Sequence, residues 1–123
     1  MSGHEHTHEH GRDLLAGLAP HTRDLRDLIP GVYEGFGRMH AAAFADGEVD
    51  RKTKELIALA IAVAVRCDGC IAAHAKAAAR EKATEKEVAE AIGIAISMSG
   101  GPGTVYGPRA MAAWRSFTAP AEG

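Results

Sequence analysis

The sequence predicts an all-α fold of about six helices around a central antiparallel helix hairpin. Three observations carry that expectation. Apolar residues make up 46% of the 123-residue chain and aromatics only 5%. Much of the apolar fraction is alanine, the best helix former and a residue depleted in strands. Apolar side chains recur at three- and four-residue spacing from Leu14 onward. Proline, glycine and capping residues divide that pattern into short segments, and no alternating run reads as a strand.

The elements follow in order. Leu14, Leu15 and Leu18 open a first short helix, and Pro20 starts a second that carries Leu25, Leu28 and Ile29 up to Pro30. Pro30 opens a third, with Val32, Phe36, Met39 and Ala43 on one face and Tyr33, His40 and Phe44 beside them, ending at Asp46-Gly47. Asp50 is a good N-cap for a helix reaching about Arg66. That helix is polar at its start and apolar on every side from Leu56 to Val65, which predicts burial all round, with a second subunit supplying part of the cover. A helix beginning near Asp68 runs through the alanine-rich stretch to Lys82. Thr84 and Glu87 form a capping box for the next, which extends through Met98. Ser99-Gly100-Gly101-Pro102-Gly103 breaks the pattern before a last helix from about Tyr106 to Phe117.

The length suits one domain, placed at residues 13–118. Residues 1–12, with His4, His6, His8 and His10, read as a flexible tail with at most weak metal-scavenging capacity, and residues 119–123 as a frayed end. A net charge of −2 and the lack of a basic, aromatic-studded stripe exclude nucleic acid as an expected partner. The longest apolar run, Leu56 to Val65, is about half the roughly 20 residues a membrane span requires. The first residues lack the layout of a signal peptide, so a cytoplasmic location is expected.

The chemistry concentrates at Cys67-Asp68-Gly69-Cys70 and His74. These are the only cysteines in the chain, and in a reducing compartment such a pair is catalytic or metal-binding rather than a staple. With a helix starting near Asp68, Cys70 falls in the first turn, where free N–H groups and the helix dipole favour thiolate. His74 lies four residues on, on the same face, and its side chain leans back toward Cys70, placed to act as a base. Cys70 is assigned as attacking thiolate and Cys67 as the resolving thiol, although in thioredoxin-type pairs the first cysteine attacks, so order alone does not settle the roles. Haem attachment is excluded because Ile71, not histidine, follows Cys70. Zinc held by Cys67, Cys70, His74 and a fourth ligand such as His40 is the competing reading, disfavoured because no second Cys/His pair follows at ligand spacing. No cofactor is expected. On spacing alone Glu55 reads as a surface residue, about 18 Å along a straight helix from Cys67. Only a bend, or a second helix folding back, brings it near His74.

Glu55, Cys67-Asp68-Gly69-Cys70 and His74 together resemble the Glu…Cys-x-x-Cys-x-x-x-His pattern of the alkylhydroperoxidase D-like proteins, within the carboxymuconolactone decarboxylase superfamily. The resemblance runs from about Asp50 to about Ala113, through Lys54-Glu55-Leu56-Ile57, Lys82-Ala83-Thr84, Gly100-Gly101-Pro102 and Val105-Tyr106-Gly107. It implies an all-helical oligomer, commonly trimer or hexamer. It also implies a peroxidase site in which Glu55 joins His74 in a proton relay to the cysteines, and reduction by a lipoamide-bearing or thioredoxin-like dithiol protein. Gly69 stands where the peroxidase prototype has a further histidine, which implies slower turnover or another substrate. Superfamily decarboxylases act without a cysteine pair, so retention of both cysteines separates this chain from them.

Overall fold

The structure is a computed structural model that describes residues 9–119. Among these residues there are six helices and no strand: α1 (Arg12–Leu28), α2 (Pro30–Phe44), α3 (Arg51–Ala64), α4 (Asp68–Arg80), α5 (Glu85–Ser99) and α6 (Gly101–Thr118). The His4–His10 cluster lies mostly outside the described residues. No helix among them is long and apolar enough to cross a membrane.

The helices α3 to α6 pack around one core built from Leu59, Val63, Ile71, Val88, Ile92 and Trp114. Alanines fill the space between, with Ala62, Ala75, Ala78, Ala110 and Ala113 all nearly or wholly buried. Small side chains at these contacts let the helix axes approach closely, and burial of the larger ones supplies the hydrophobic driving force. The α5 and α6 backbones approach closely at two glycines. A Cβ on Gly103 would sit 2.8 Å from the Cα of Ile96, and one on Gly107 would sit 2.9 Å from Cγ2 of Ile92. Gly103→Val should therefore force the two helices apart and cost about 1–3 kcal/mol of stability, read as a lower denaturation midpoint with unchanged slope.

Capping side chains mark the helix starts. Asp50 accepts from the Thr53 amide at 2.8 Å, and Thr84 and Glu87 complete the reciprocal capping box at 3.1 and 2.9 Å. The Glu87 carboxylate also accepts from Lys52 Nζ at 2.9 Å, which ties the start of α5 to α3. The Thr84 amide, then the Lys52 ammonium, hold the Glu87 carboxyl below its ordinary range. Two helix ends are closed by Schellman turns on non-glycine residues. Arg66 (φ 60) and Lys82 (φ 64) occupy the left-handed position. The following amides of Cys67 and Ala83 bond back to Ala62 and Ala78.

Two expectations are corrected. Pro20 does not separate two helices: α1 runs through it unbroken. A proline inside a helix removes one backbone donor, and here the carbonyl left without it belongs to exposed Ala16 on a helix with no buried residue, so solvent can satisfy it. The last helix begins at Gly101 rather than Tyr106, because Gly100 alone makes the turn (φ 69) and Pro102 lies in the first turn, where its missing N–H costs nothing. Within the single chain, α3 is covered on one side only. Leu59, Ala62 and Val63 are covered, whereas Ile57, Ile61 and Val65 are 50, 57 and 63% exposed, because α4, α5 and α6 all pack on the other side.

The N-terminal end is tied down from Gly11. The Arg12 amide donates to Ser116 Oγ at 3.2 Å, and its guanidinium donates twice to the Ser116 carbonyl, at 3.1 and 2.9 Å. Gly11 is buried against Ala113 and Ser116, where any side chain would collide.

Candidate active site

The site begins with the turn between α3 and α4. The left-handed Arg66 reverses the chain, so α4 runs back along α3. That reversal decides the fate of Glu55. Its Oε1 lies 2.9 Å from Nδ1 of His74, nineteen residues later in the chain. Glu55 is 1% exposed, so it is a buried group and not the surface residue its spacing alone suggested.

A buried carboxylate is tolerated only with partners. One oxygen takes the His74 ring nitrogen. The other lies 3.7 Å from Nε of Arg51, one turn earlier on α3, and Arg51 also faces Glu81 at 3.9 Å. A carboxylate can only accept, so with Glu55 ionised Nδ1 of His74 is the donor, and Nε2 is the nitrogen left to take up a proton when the ring is neutral. Glu55 thus fixes the tautomer and would stabilise an imidazolium formed by proton uptake.

Cys67 and Cys70 form a disulfide across the first turn of α4. Cys67 is the N-cap, and its sulfur accepts from the Cys70 amide at 3.2 Å. The helix terminus therefore acts most directly on the Cys67 sulfur, where sequence reasoning had assigned its benefit to Cys70. Cys70 is the more exposed of the two, and Cys67 is half-buried. His74 lies one turn beyond Cys70 on the same helix face, the spacing at which side chains meet. Only 17% of the His74 side chain is exposed.

Three neighbouring features were not read as part of the site from the sequence. Phe36, His40 and Phe44 stack in order along α2, with centroids 5.6 and 4.3 Å apart. The upper end of that ladder meets the His74 ring, Phe44 at 5.3 Å and 13°, His40 at 5.7 Å and 23°. His40, considered as a fourth metal ligand, here makes a ring contact. Among the described residues no three His, Cys, Asp or Glu side chains are grouped to hold a metal ion. Leu18 of α1 reaches over Gly69, 3.7 Å from where a Cβ would lie, and so covers the motif from above. Asp68 faces Arg109 of α6 at 3.7 Å, with that guanidinium over the Tyr106 ring at 4.5 Å. One of these had a visible signal, the i, i+4, i+8 series Phe36/His40/Phe44, as did the i, i+4 spacing of Arg51 and Glu55.

A sequence model described as the carboxymuconolactone decarboxylase family matches residues 30–119, which spans the whole site. The chain belongs to the carboxymuconolactone decarboxylase family. Among solved structures, a carboxymuconolactone decarboxylase family protein from Legionella pneumophila, in its apo form, superimposes with a TM-score of 0.80 at 37% identity, covering 92% of this chain and 97% of that one. An uncharacterized protein of Cupriavidus necator is 39% identical over 90 residues, 73% of this chain and 80% of its own. A Paracoccus denitrificans protein, described as uncharacterized protein 4 in the cox locus, is 39% identical over 81 residues, 66% of this chain and 73% of its own. The six-helix architecture is thus that of carboxymuconolactone decarboxylase family proteins, and the fold expected from the sequence holds.

Proposed function

We propose that this carboxymuconolactone decarboxylase family member is a thiol-dependent oxidoreductase that reduces hydroperoxides, or disulfides, with Cys67 and Cys70. The observation that supports this reading best is the pairing of a disulfide-forming Cys67/Cys70 turn with His74 one helical turn away, held by the buried Glu55 carboxylate.

In the cycle, His74 Nε2 takes the Cys70 proton and Glu55 stabilises the resulting imidazolium. The Cys70 thiolate attacks the distal oxygen of a hydroperoxide. The O–O bond breaks, the sulfur becomes a sulfenic acid, and the alkoxide leaves as alcohol with the proton held by His74. Cys67 then gives its proton to His74 and attacks the Cys70 sulfur, forming the disulfide, and the hydroxide leaves as water with that proton. An external dithiol closes the cycle. Its thiolate attacks exposed Cys70, Cys67 leaves as thiolate at the helix start, and the second thiol of the carrier displaces Cys70. The helix N–H on the Cys67 sulfur lowers the basicity of that leaving group, so the two cysteines take different roles for a physical reason. The net reaction converts hydroperoxide and dithiol to alcohol, water and disulfide.

The proposed reductant is a lipoamide-bearing or thioredoxin-like protein, and the proposed setting is the reducing cytoplasm, where the pair can be kept as thiols between turnovers. A homo-oligomer, trimer or hexamer, belongs to the same reading. The direct test is peroxide-dependent oxidation of dihydrolipoamide by the purified chain. One disulfide should form per hydroperoxide consumed, and a reduced enzyme that leaves the peroxide untouched would defeat the proposal.

A further inference from the structure

A cleft of ≈560 Å³ opens between α1, α4 and α6, lined by Arg12, Lys76, Ala79, Arg80, Phe117 and Thr118. Three of those side chains are cations, and among the described residues no carboxylate lines the cleft. Neither Lys76 nor Arg80 forms an ion pair among the described residues. A chain of net charge −2 thus gathers three positive charges in one concavity. Lys76 and Arg80 project about a third to nearly half a turn around α4 from His74, so the cleft is separate from the thiol site.

We propose that this cleft binds a diphosphate group, carried either by inorganic pyrophosphate or by a nucleotide.

The first support is that the cations are placed at a cost. Lys76 and Arg80 stand four residues apart on α4, a spacing at which like charges oppose helix formation. The helix dipole accounts for Arg80, which lies in the last turn of α4 where a cation is favoured. Lys76 lies before that turn and has no such reason. An anion bound between the two would turn their repulsion into a shared attraction.

The second is that Arg12 is already set in place. Its guanidinium donates twice to the Ser116 carbonyl, at 3.1 and 2.9 Å, and lies 5.7 Å from the centre of the Phe117 ring. Those bonds use two of its five N–H groups, so a held fork keeps donors for an incoming oxyanion. Little side-chain freedom remains to be lost on binding.

The third is the match of charge and size. A carboxylate brings one negative charge and a phosphate monoester about two, and either would leave the cleft positive. A diphosphate brings about three, with oxygens enough for two guanidinium forks and an ammonium. The volume falls within the range of small-molecule sites, about 300–1,000 Å³, and Ala79 and Phe117 offer an apolar wall to any organic group attached to the phosphates. The ligand would bridge three helices and so stabilise the folded chain as it saturates.

The test titrates the full chain calorimetrically with pyrophosphate, ADP and AMP at low ionic strength. It is repeated on Lys76→Gln and Arg80→Gln, both at exposed positions, and on Lys86→Gln, exposed on α5 outside the cleft. Pyrophosphate and ADP should saturate one site, with AMP weaker by about tenfold. Each cleft substitution should weaken diphosphate binding by about tenfold, as expected for one charge-assisted hydrogen bond, and Lys86→Gln should leave it unchanged. Tighter binding of ADP than of pyrophosphate identifies a nucleotide as the source, and the reverse order identifies the inorganic ion. The pH midpoint of iodoacetamide alkylation of the reduced cysteines should be the same in the wild type and both cleft variants; displacement by about one pH unit would overturn the separation of the two sites. Absence of saturation by either diphosphate overturns the proposal, as does an equal loss in Lys86→Gln, which would mean attraction by the surface as a whole. Tighter binding of a hexaglutamate peptide than of pyrophosphate overturns it in favour of a protein partner. None of these readouts involves peroxide, so they stand or fall independently of the function proposed above.

Discussion

Cys70→Ser should abolish peroxide-dependent dithiol oxidation, with turnover falling at least about a thousandfold to the level of the uncatalysed reaction. A serine hydroxyl keeps the shape and remains un-ionised at neutral pH, so the attacking anion disappears while the helix start is unchanged. Cys67→Ser should fail differently. Cys70 can still be oxidised once, so a single stoichiometric burst of peroxide consumption should remain, followed by arrest at the sulfenic acid or beyond. Trapping of that sulfenic acid by a 1,3-dione, seen in Cys67→Ser and absent in Cys70→Ser, distinguishes attacker from resolver. The opposite pattern would reverse the roles assigned here. Sustained turnover in Cys70→Ser would dispose of the mechanism altogether.

Replacement of Glu55 should have the second largest effect, and it acts through another residue. Glu55→Gln keeps an oxygen able to accept from His74 Nδ1 but removes the charge that stabilises the imidazolium. We expect kcat/KM to fall about 10²–10⁴-fold, the usual contribution of positioned acid–base catalysis, with the alkylation midpoint of the cysteines displaced upward. Glu55→Ala should also destabilise the fold by about 1–3 kcal/mol, because the half-buried His74 ring loses its partner on Nδ1, whereas Arg51 is partly exposed and keeps Glu81. A site acting as one unit is non-additive, so His74→Gln combined with Glu55→Gln should be little slower than the slower single variant. A Glu55→Gln enzyme with wild-type rate and pH profile would show that the carboxylate has a structural role alone.

Much of the architecture was legible before the structure because it rests on local rules. Asp50 and Thr84 announce their helices through side-chain oxygens that satisfy free amides, and those signals act within four residues. The elements misjudged are those where solvent or neighbours decide. Pro20 ends a buried helix but not one whose freed carbonyl faces water. Gly100 to Gly103 reads as a long break, yet a single left-handed residue suffices to start α6.

The site divides along the same line. Cys67, Cys70 and His74 lie within eight residues, so helical spacing alone groups them. Glu55 needed the reversal at Arg66, and its depth is a property of α4 packing on α3 rather than of its own surroundings in the chain. The N-cap hydrogen bond is a finer point that the sequence analysis did not reach. Placing Cys70 in the first turn was right, but the residue whose sulfur receives the helix amide is the one just before the helix.

The reversal at Arg66 has a consequence for how the protein comes into being. Every group assigned to the proton and thiol chemistry, from Arg51 to His74, belongs to one helical hairpin, and its longest link joins residues only nineteen apart. Closing so short a loop costs little entropy, and helices of this length elongate within microseconds. The hairpin should therefore be among the earliest parts of the chain to take shape, with α5 and α6 docking onto it afterward. Substitutions such as Gly103→Val would then shorten the lifetime of the folded protein while leaving the chemistry of each folded molecule intact. Stability and reactivity in this fold are carried by different stretches of chain and can drift apart under selection.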